Sequence, residues 1–486
     1  MSDNDQIFIG QAFDSGDSTP AQTLRLDRAN RHGLITGATG TGKTVTLQGL
    51  AESFARAGVP VFAADVKGDL AGISQPGAGG DKIISRAQSM GIDWKAEAAP
   101  ASFWDVMAQS GVPVRATLSE MGPLMLTRLL ELSDAQEGVL NVVFQVADEQ
   151  GLLLLDLDDL GALLTYVGEN AREIGLKYGN VAPASVSTVQ RKILSLKNQG
   201  AAGFFGEPAL RLEDLMRTSL DGRGYVNVLA ADQLINAPQV YATFLLWLLS
   251  ELFEALLEVG DLPKPRLVFF FDEAHLLFTD APKPLLQKIE QVVRLIRSKG
   301  VSVWFITQSP ADVPETVLAQ LGTRVQHALR AYTPNEQTAL QIASRSFRAN
   351  PAFDTAQAIQ GLGVGEALVS TLDEKGAPTM VAKTRIRPPN SRIGPITPDE
   401  RRAVIAASPV ATAYSTPVNR ESAFELLKAR ATQTATAPVA PKVAPAPRAS
   451  TRAGPVEAMM TSMVRAAGSQ LGRALIRGVL GSLTRR

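Results

Sequence analysis

Residues 37 to 44 read Gly37-Ala38-Thr39-Gly40-Thr41-Gly42-Lys43-Thr44. The apolar run Gly33-Leu34-Ile35-Thr36 leads in, and Val45-Thr46-Leu47-Gln48-Gly49-Leu50-Ala51 follows with helical character. The spacing G-x-x-x-x-G-K-[ST] requires a strand, a tight anion-binding turn and a helix in immediate succession. Glycines let the backbone curl so that successive N–H groups face one anion, and the helix N-terminus adds its dipole. Lys43 is placed to reach the β- and γ-phosphates, and the Thr44 hydroxyl to ligate Mg2+. The plainer alternative is a glycine-rich turn that binds nothing. A strand before and a helix after argue against it, so residues 37–44 are expected to cradle a nucleoside triphosphate.

With 486 residues, 45% of them hydrophobic, the chain can bury a sizeable core or build two or three domains. Lys+Arg and Asp+Glu both number 48, so no global charge advertises nucleic acid or membrane binding. Cysteine is absent, which excludes disulfides, thiolate metal sites and a cysteine nucleophile. The histidines are His32, His275 and His327 alone, too few for a multi-histidine zinc site. The N-terminus, Met1-Ser2-Asp3-Asn4-Asp5, lacks the apolar stretch of a signal peptide. The greasiest run, 244–259, carries Glu251 and Glu254 and is too short to span a bilayer. The expected location is the cytoplasm.

Two short β-like runs, Ile7-Phe8-Ile9 and Leu24-Arg25-Leu26, precede the loop strand. After the first helix, Val59-Pro60-Val61-Phe62-Ala63-Ala64 reads as a buried strand that ends at Asp65-Val66-Lys67-Gly68-Asp69. This alternation predicts an α/β fold with a mostly parallel central sheet, whose first part occupies 1–72. Strand signals then become sparse, and 73–222 reads as an all-helical insertion. Within it Ser133-Asp134-Ala135-Gln136 has the form of a capping box, and helical periodicity returns in 157–172 and 185–198. The loop Gly200-Ala201-Ala202-Gly203-Phe204-Phe205-Gly206-Glu207-Pro208 reads as a packed turn rather than a ligand-contacting one.

The second part of the core spans 223–390, with strands near 225–229, 267–271, 301–306 and 325–329, a helix over 238–259, and a hairpin at 366–371 and 379–386 that is expected to close the sheet. A helical extension covers 391–430, opened by Thr397-Pro398 as cap and first position. Residues 431–455 are rich in Ala, Pro and Thr and are expected to form a disordered linker. Residues 456–486 suggest an amphipathic basic helix, with Met460, Met463, Val464, Ala467, Leu471 and Leu475 along one side.

The chemistry requires more than the loop. The strand Leu267-Val268-Phe269-Phe270-Phe271 ends in Asp272-Glu273. A carboxylate at the end of a strand beside the phosphate loop can hold the Mg2+ shell, and the next one can polarise the attacking water. Asp272 is assigned to the metal and Glu273 to the general base. Gln308 follows the next strand, where an amide can bond the γ-phosphate or the lytic water. Arg297, in Arg294-Leu295-Ile296-Arg297-Ser298-Lys299-Gly300, is either a guanidinium offered to a neighbouring subunit or a solvated helix end. Arg324 and Arg330 bracket the subsequent strand as lesser candidates.

The order of these motifs resembles the HerA/FtsK superfamily of P-loop ATPases: the phosphate loop, Asp65-Val66-Lys67-Gly68-Asp69, a helical insertion, Phe271-Asp272-Glu273-Ala274-His275, Arg297-Ser298-Lys299-Gly300 and Thr307-Gln308-Ser309-Pro310. The match covers roughly 30–390. The resemblance implies a RecA-like P-loop NTPase core, a hexameric ring in which Arg297 acts across a subunit boundary, and ATP-driven translocation along duplex DNA. Too few residues precede the loop for the N-terminal β-barrel of HerA itself, and the winged-helix tail of FtsK has no counterpart. Asp272-Glu273-Ala274-His275 also spells a DEAH box, but no late arginine-rich motif follows between Arg330 and Arg430. The expected function is an ATP- and Mg2+-dependent ring-forming motor acting on DNA. The alternatives are an ATPase that remodels or exports a protein partner through the insertion or the tail, and a slow ATP-dependent switch.

Overall fold

The computed structural model describes residues 5–13, 19–279 and 283–436. Twelve strands form one open sheet: β1 (Gln6–Ala12), β2 (Ala21–Arg25), β3 (Gly33–Thr36), β4 (Val61–Asp65), β5 (Ala101–Asp105), β6 (Val112–Pro113), β7 (Val226–Ala230), β8 (Leu267–Phe271), β9 (Val301–Thr307), β10 (Thr323–His327), β11 (Glu366–Ser370) and β12 (Ala382–Ile386). Their spatial order is β2-β1-β12-β11-β10-β3-β9-β8-β4-β7-β5-β6. The run from β10 to β6 is parallel, while β11, β12, β1 and β2 pair antiparallel at one side.

The central strands are predominantly apolar because both faces are covered. In β8, Leu267, Phe269 and Phe271 join one core cluster and Val268 and Phe270 the other. In β9, Val303 and Phe305 face the first cluster, and Trp304 and Ile306 the second. The helix Lys43–Arg56, α1, lies on the second face with Leu47, Leu50 and Phe54 buried. On the first face the helix Pro238–Ala255 buries every residue from Val240 to Ser250, Phe244 and Trp247 among them. Phe204 packs edge-on against both rings, so the 200–208 loop is the packed turn expected.

Three features differ from the sequence reading. The segment 73–222 is not all-helical: β5 and β6 lie inside it and extend the main sheet, β5 pairing with β7. Its helical part runs from Leu118 to Asn198 and opens on Thr117, whose side chain and Glu120 form a capping box. The capping box at Ser133 starts the helix Asp134–Gln150. The hairpin β11–β12 does not close the sheet either, since β12 pairs onward with β1 and β2 forms the edge. Residues 431–436, read as the start of a linker, belong to the helix Ala423–Thr436. The remainder of the linker and the basic helix at 456–486 lie outside the described residues. Among the described residues no helix is long and apolar enough to cross a membrane.

Candidate nucleotide site

Strand register assembles the site. Thr36 of β3 lies opposite Thr307 of β9, Phe305 of β9 opposite Phe271 of β8, and Phe271 opposite Ala64 of β4. Parallel strands expose their C-terminal ends along one edge, the usual ligand edge of an open α/β sheet. Residues 37–44, Gln308, Asp272-Glu273 and Asp65–Asp69 therefore leave the sheet side by side.

The loop is braced from below. Gly37 has φ 151°, and a Cβ there would lie 2.5 Å from that of His327 at the end of β10. The Ala38 amide donates to Ala328 O at 2.8 Å, and Thr36 Oγ1 donates to Gln326 Oε1 at 2.6 Å. His327 Nδ1 faces the Glu366 carbonyl at 2.9 Å and must carry the proton, so Nε2 accepts from Thr46 Oγ1 at 2.8 Å. Burial pushes this imidazole down to about 4, and it stays neutral under α1. Lys43 is buried, and its Nζ donates to Gly37 O at 2.7 Å and Ala38 O at 3.2 Å. Burial holds Lys43 below its ordinary value, while Glu273 and Asp272 oppose that shift.

The acidic side is crowded. Asp272 is pushed up to about 6 by burial and then by the charge of Glu273. Asp65 is pushed up to about 7 by burial and then by Asp69 and Asp272, although it accepts from the Gly68 and Leu70 amides. Burial also pushes Glu273 up, but the Lys67 ammonium outweighs it and holds the carboxyl below its ordinary value. Lys67 Nζ donates to Glu273 Oε1. His275 Nδ1 approaches Oε2 to 3.2 Å, yet that buried oxygen has no hydrogen bond of acceptable geometry. Glu273 adopts φ 47° and ψ 48°, a left-handed conformation that costs a non-glycine residue about 1–3 kcal/mol.

Asp69 was not singled out in the sequence as a site residue. Its Oδ2 accepts from Thr44 Oγ1 at 3.3 Å, and its Oδ1 is buried without a partner. The Thr44 hydroxyl, this orphaned oxygen and the Asp272 carboxyl are the hard oxygen donors that Mg2+ prefers. Among the described residues no three histidine or carboxylate groups converge as a self-sufficient metal site. The donor set therefore fits an ion that arrives with phosphate oxygens. The signal for Asp69 was its place in Asp65-Val66-Lys67-Gly68-Asp69, but only the folded turn brings it to Thr44.

Gln308 sits exposed just past β9, beside the start of the loop. Arg297 is not brought to this edge. It lies in the turn Ile296–Lys299 ahead of β9, so the seven residues of that strand separate it from the loop. Its guanidinium pairs with Asp261 Oδ1 at 3.3 Å. A cavity of about 360 Å³ opens there, lined by Arg31, Arg294, Arg297, Arg324 and Arg348. Arg324 is tied to the carbonyls of Leu318, Leu321 and Ser346, and Arg330 is exposed beyond β10.

A family model described as helicase HerA-like C-terminal matches residues 12–486. The chain belongs to that HerA-like family. No curated protein matches it. Among solved structures, the plasmid coupling protein TrwB in complex with a non-hydrolysable ATP analogue is similar at 16% identity and TM-score 0.51, covering 76% of this chain and 87% of TrwB. VirB4 of Thermoanaerobacter pseudethanolicus is similar at 16% identity and TM-score 0.50, covering 79% of this chain and 97% of VirB4. Likeness at this level establishes the shared RecA-like P-loop ATPase fold, which this HerA-like chain builds on an open sheet, with no closed barrel among the described residues.

Proposed function

We propose that this HerA-like chain is a Mg2+-dependent ATPase that assembles into a ring and drives duplex DNA. The observation that carries the reading is the convergence of residues 37–44, Asp69 and Asp272-Glu273 on one edge of the sheet. The amides of Gly40 to Thr44 and the Lys43 ammonium bind the β- and γ-phosphates. Thr44, Asp69 and Asp272 would hold Mg2+, which supplies Lewis-acid neutralisation of the phosphate charge when bound. Glu273 orients a water in line with the γ-phosphorus and takes its proton as the new P–O bond forms. The β–γ bridging oxygen keeps the electron pair of the broken bond and leaves with ADP. Gln308 hydrogen-bonds the γ-phosphate or that water and reports the event through β9.

The ring reading draws on an arginine-lined cavity at the end of the strands opposite the phosphate loop, with Arg297 in its wall. In a ring, Arg297 completes the neighbour's site. Mixing Lys43→Ala with Arg297→Ala protein tests this, because mixed rings regain turnover at interfaces that pair an intact loop with an intact arginine. If mixtures give only the sum of the two inactive parents, cross-subunit action is wrong. Turnover with duplex, single-stranded and no DNA tests the track. Equal rates in all three, with no salt-sensitive binding, would favour a protein substrate instead.

A further inference from the structure

Lys43 serves the β-phosphate that ATP and ADP share, so it alone does not separate the two nucleotides; without nucleotide its Nζ rests on the carbonyls of Gly37 and Ala38. A second ammonium faces the same space. Lys67 stands at the tip of the turn after β4, and its Nζ donates to Oε1 of Glu273, which follows Asp272 at the end of the neighbouring strand β8. The turn is rigidly built. The Asp65 carboxylate caps the Gly68 amide at 2.8 Å and the Leu70 amide at 3.2 Å, and Gly68 takes the left-handed φ of 74°. The Lys67 side chain is 45% exposed, whereas its partner Glu273 is only 6% exposed. The ammonium therefore rests on a buried carboxylate while remaining reachable from the cleft.

We propose that Lys67 is the specificity-determining contact for the γ-phosphate, and that it covers the general base until that phosphate arrives. The inference rests on the ATPase reading of the site and deepens it. A carboxylate with an ammonium on Oε1 is engaged and a poor proton acceptor, so Glu273 is quiet in the empty site. A γ-phosphate entering beside Lys43 offers doubly charged oxygens to the second ammonium. Lys67 leaves Glu273 for them, turning about its own flexible stem. The freed carboxylate, still aimed by its left-handed backbone, then takes the proton of the lytic water. ADP carries no γ-oxygens, so with ADP bound Lys67 stays on Glu273. The pair thus re-forms when phosphate leaves.

The test is equilibrium binding of Mg-ATP and Mg-ADP to the full chain in a Glu273→Gln background, which removes both turnover and the carboxylate that repels the γ-phosphate. Adding Lys67→Met is expected to weaken ATP binding about 10- to 100-fold, the scale of one charge-assisted hydrogen bond. ADP binding should stay within about twofold, and Lys67→Arg should keep most of the ATP preference, since a guanidinium also binds phosphate. A ratio of ATP to ADP affinity that is the same with and without Lys67 overturns the proposal, as does an equal loss for both nucleotides. The ATPase reading fails differently: the Glu273→Gln protein would then bind neither nucleotide, or bind both regardless of Lys43→Ala, and this inference would fall with it.

Discussion

Asp69→Asn should make the nucleotide-free protein more stable and the enzyme worse. Asp69 holds one buried oxygen without a partner and lies beside Asp65 and Asp272, which are pushed up to about 7 and about 6. Burial is the largest cause for each; Asp69 is the next cause for Asp65 and a smaller one for Asp272. Removing one like charge therefore recovers only part of the penalty. One pKa unit corresponds to roughly 1.4 kcal/mol, so a secondary share at two sites is on the order of 1 kcal/mol at pH 8. For a domain this large that raises the apo melting temperature by about 1–2 °C. At pH 5 both neighbours are mostly protonated, and the gain shrinks toward zero. The amide keeps the shape of the carboxylate but brings no charge to the metal, so turnover should fall about 10- to 100-fold with a raised Mg2+ requirement. Calorimetric melts at pH 5 and pH 8 without nucleotide, beside phosphate release over a Mg2+ titration, measure both halves. An apo protein that melts lower than wild type at pH 8, or one that turns over normally, would refute the placement of Asp69 in the site.

Asp65 gives the chain a pH signature, because its native pKa of about 7 exceeds the ordinary value of 3.8. The folded state binds the extra proton between those values, so stability falls as pH rises from about 4 to 7 and then levels off. Asp65→Asn should flatten that slope in apo melts, and an unchanged slope would remove Asp65 as its source. Lys43→Ala should lower ATP affinity at least about 100-fold while leaving the melting temperature nearly unaltered, because a buried ammonium held only by loop carbonyls adds little net stability; a folded variant that binds ATP normally contradicts the loop assignment. Gly33→Ala places a Cβ 2.3 Å from the Trp304 ring. Overpacking there should cost about 1–3 kcal/mol, seen as a lower denaturant midpoint and partly recovered by adding Trp304→Leu.

The loop, the acidic pair and the alternation of strands and helices were legible because each is written in contiguous residues. What stayed hidden depends on partners distant in sequence. β5 is short and follows an irregular stretch; its identity comes from pairing with β7 and from Trp104 Nε1 donating to Asn227 Oδ1 at 2.9 Å. The positions of Asp69 and Lys67 depend on Asp65 folding its own turn, a use of a carboxylate that no spacing rule announces. The left-handed backbone of Glu273 is equally silent in the sequence, since only glycine and asparagine advertise that conformation. The site order along the chain was readable, and the charge balance within it was not.

That charge balance links stability to function. Without nucleotide, the edge holds Asp65, Asp69, Asp272 and Glu273 against Lys43 and Lys67, with one orphaned carboxylate oxygen on each of Asp69 and Glu273. Such an arrangement is tolerable only because the rest of the fold over-determines it. β9 is buried on both faces between the loop strand and the acidic strand. The far end of α1 is lashed to 387–391 by Glu52, which accepts the Ser391 and Asn390 amides at 2.8 and 2.9 Å, and by Arg387 on Ser53 Oγ at 2.6 Å. The scaffold thus keeps mutually repelling groups in register. On the proposed reading, Asp69 and Asp272 would offer the orphaned oxygen and the second carboxyl to Mg2+ arriving with the triphosphate, and Lys67 would part from Glu273. Binding energy would then be spent on ordering the site for reaction rather than on affinity alone, and the same groups would repel once the γ-phosphate departs.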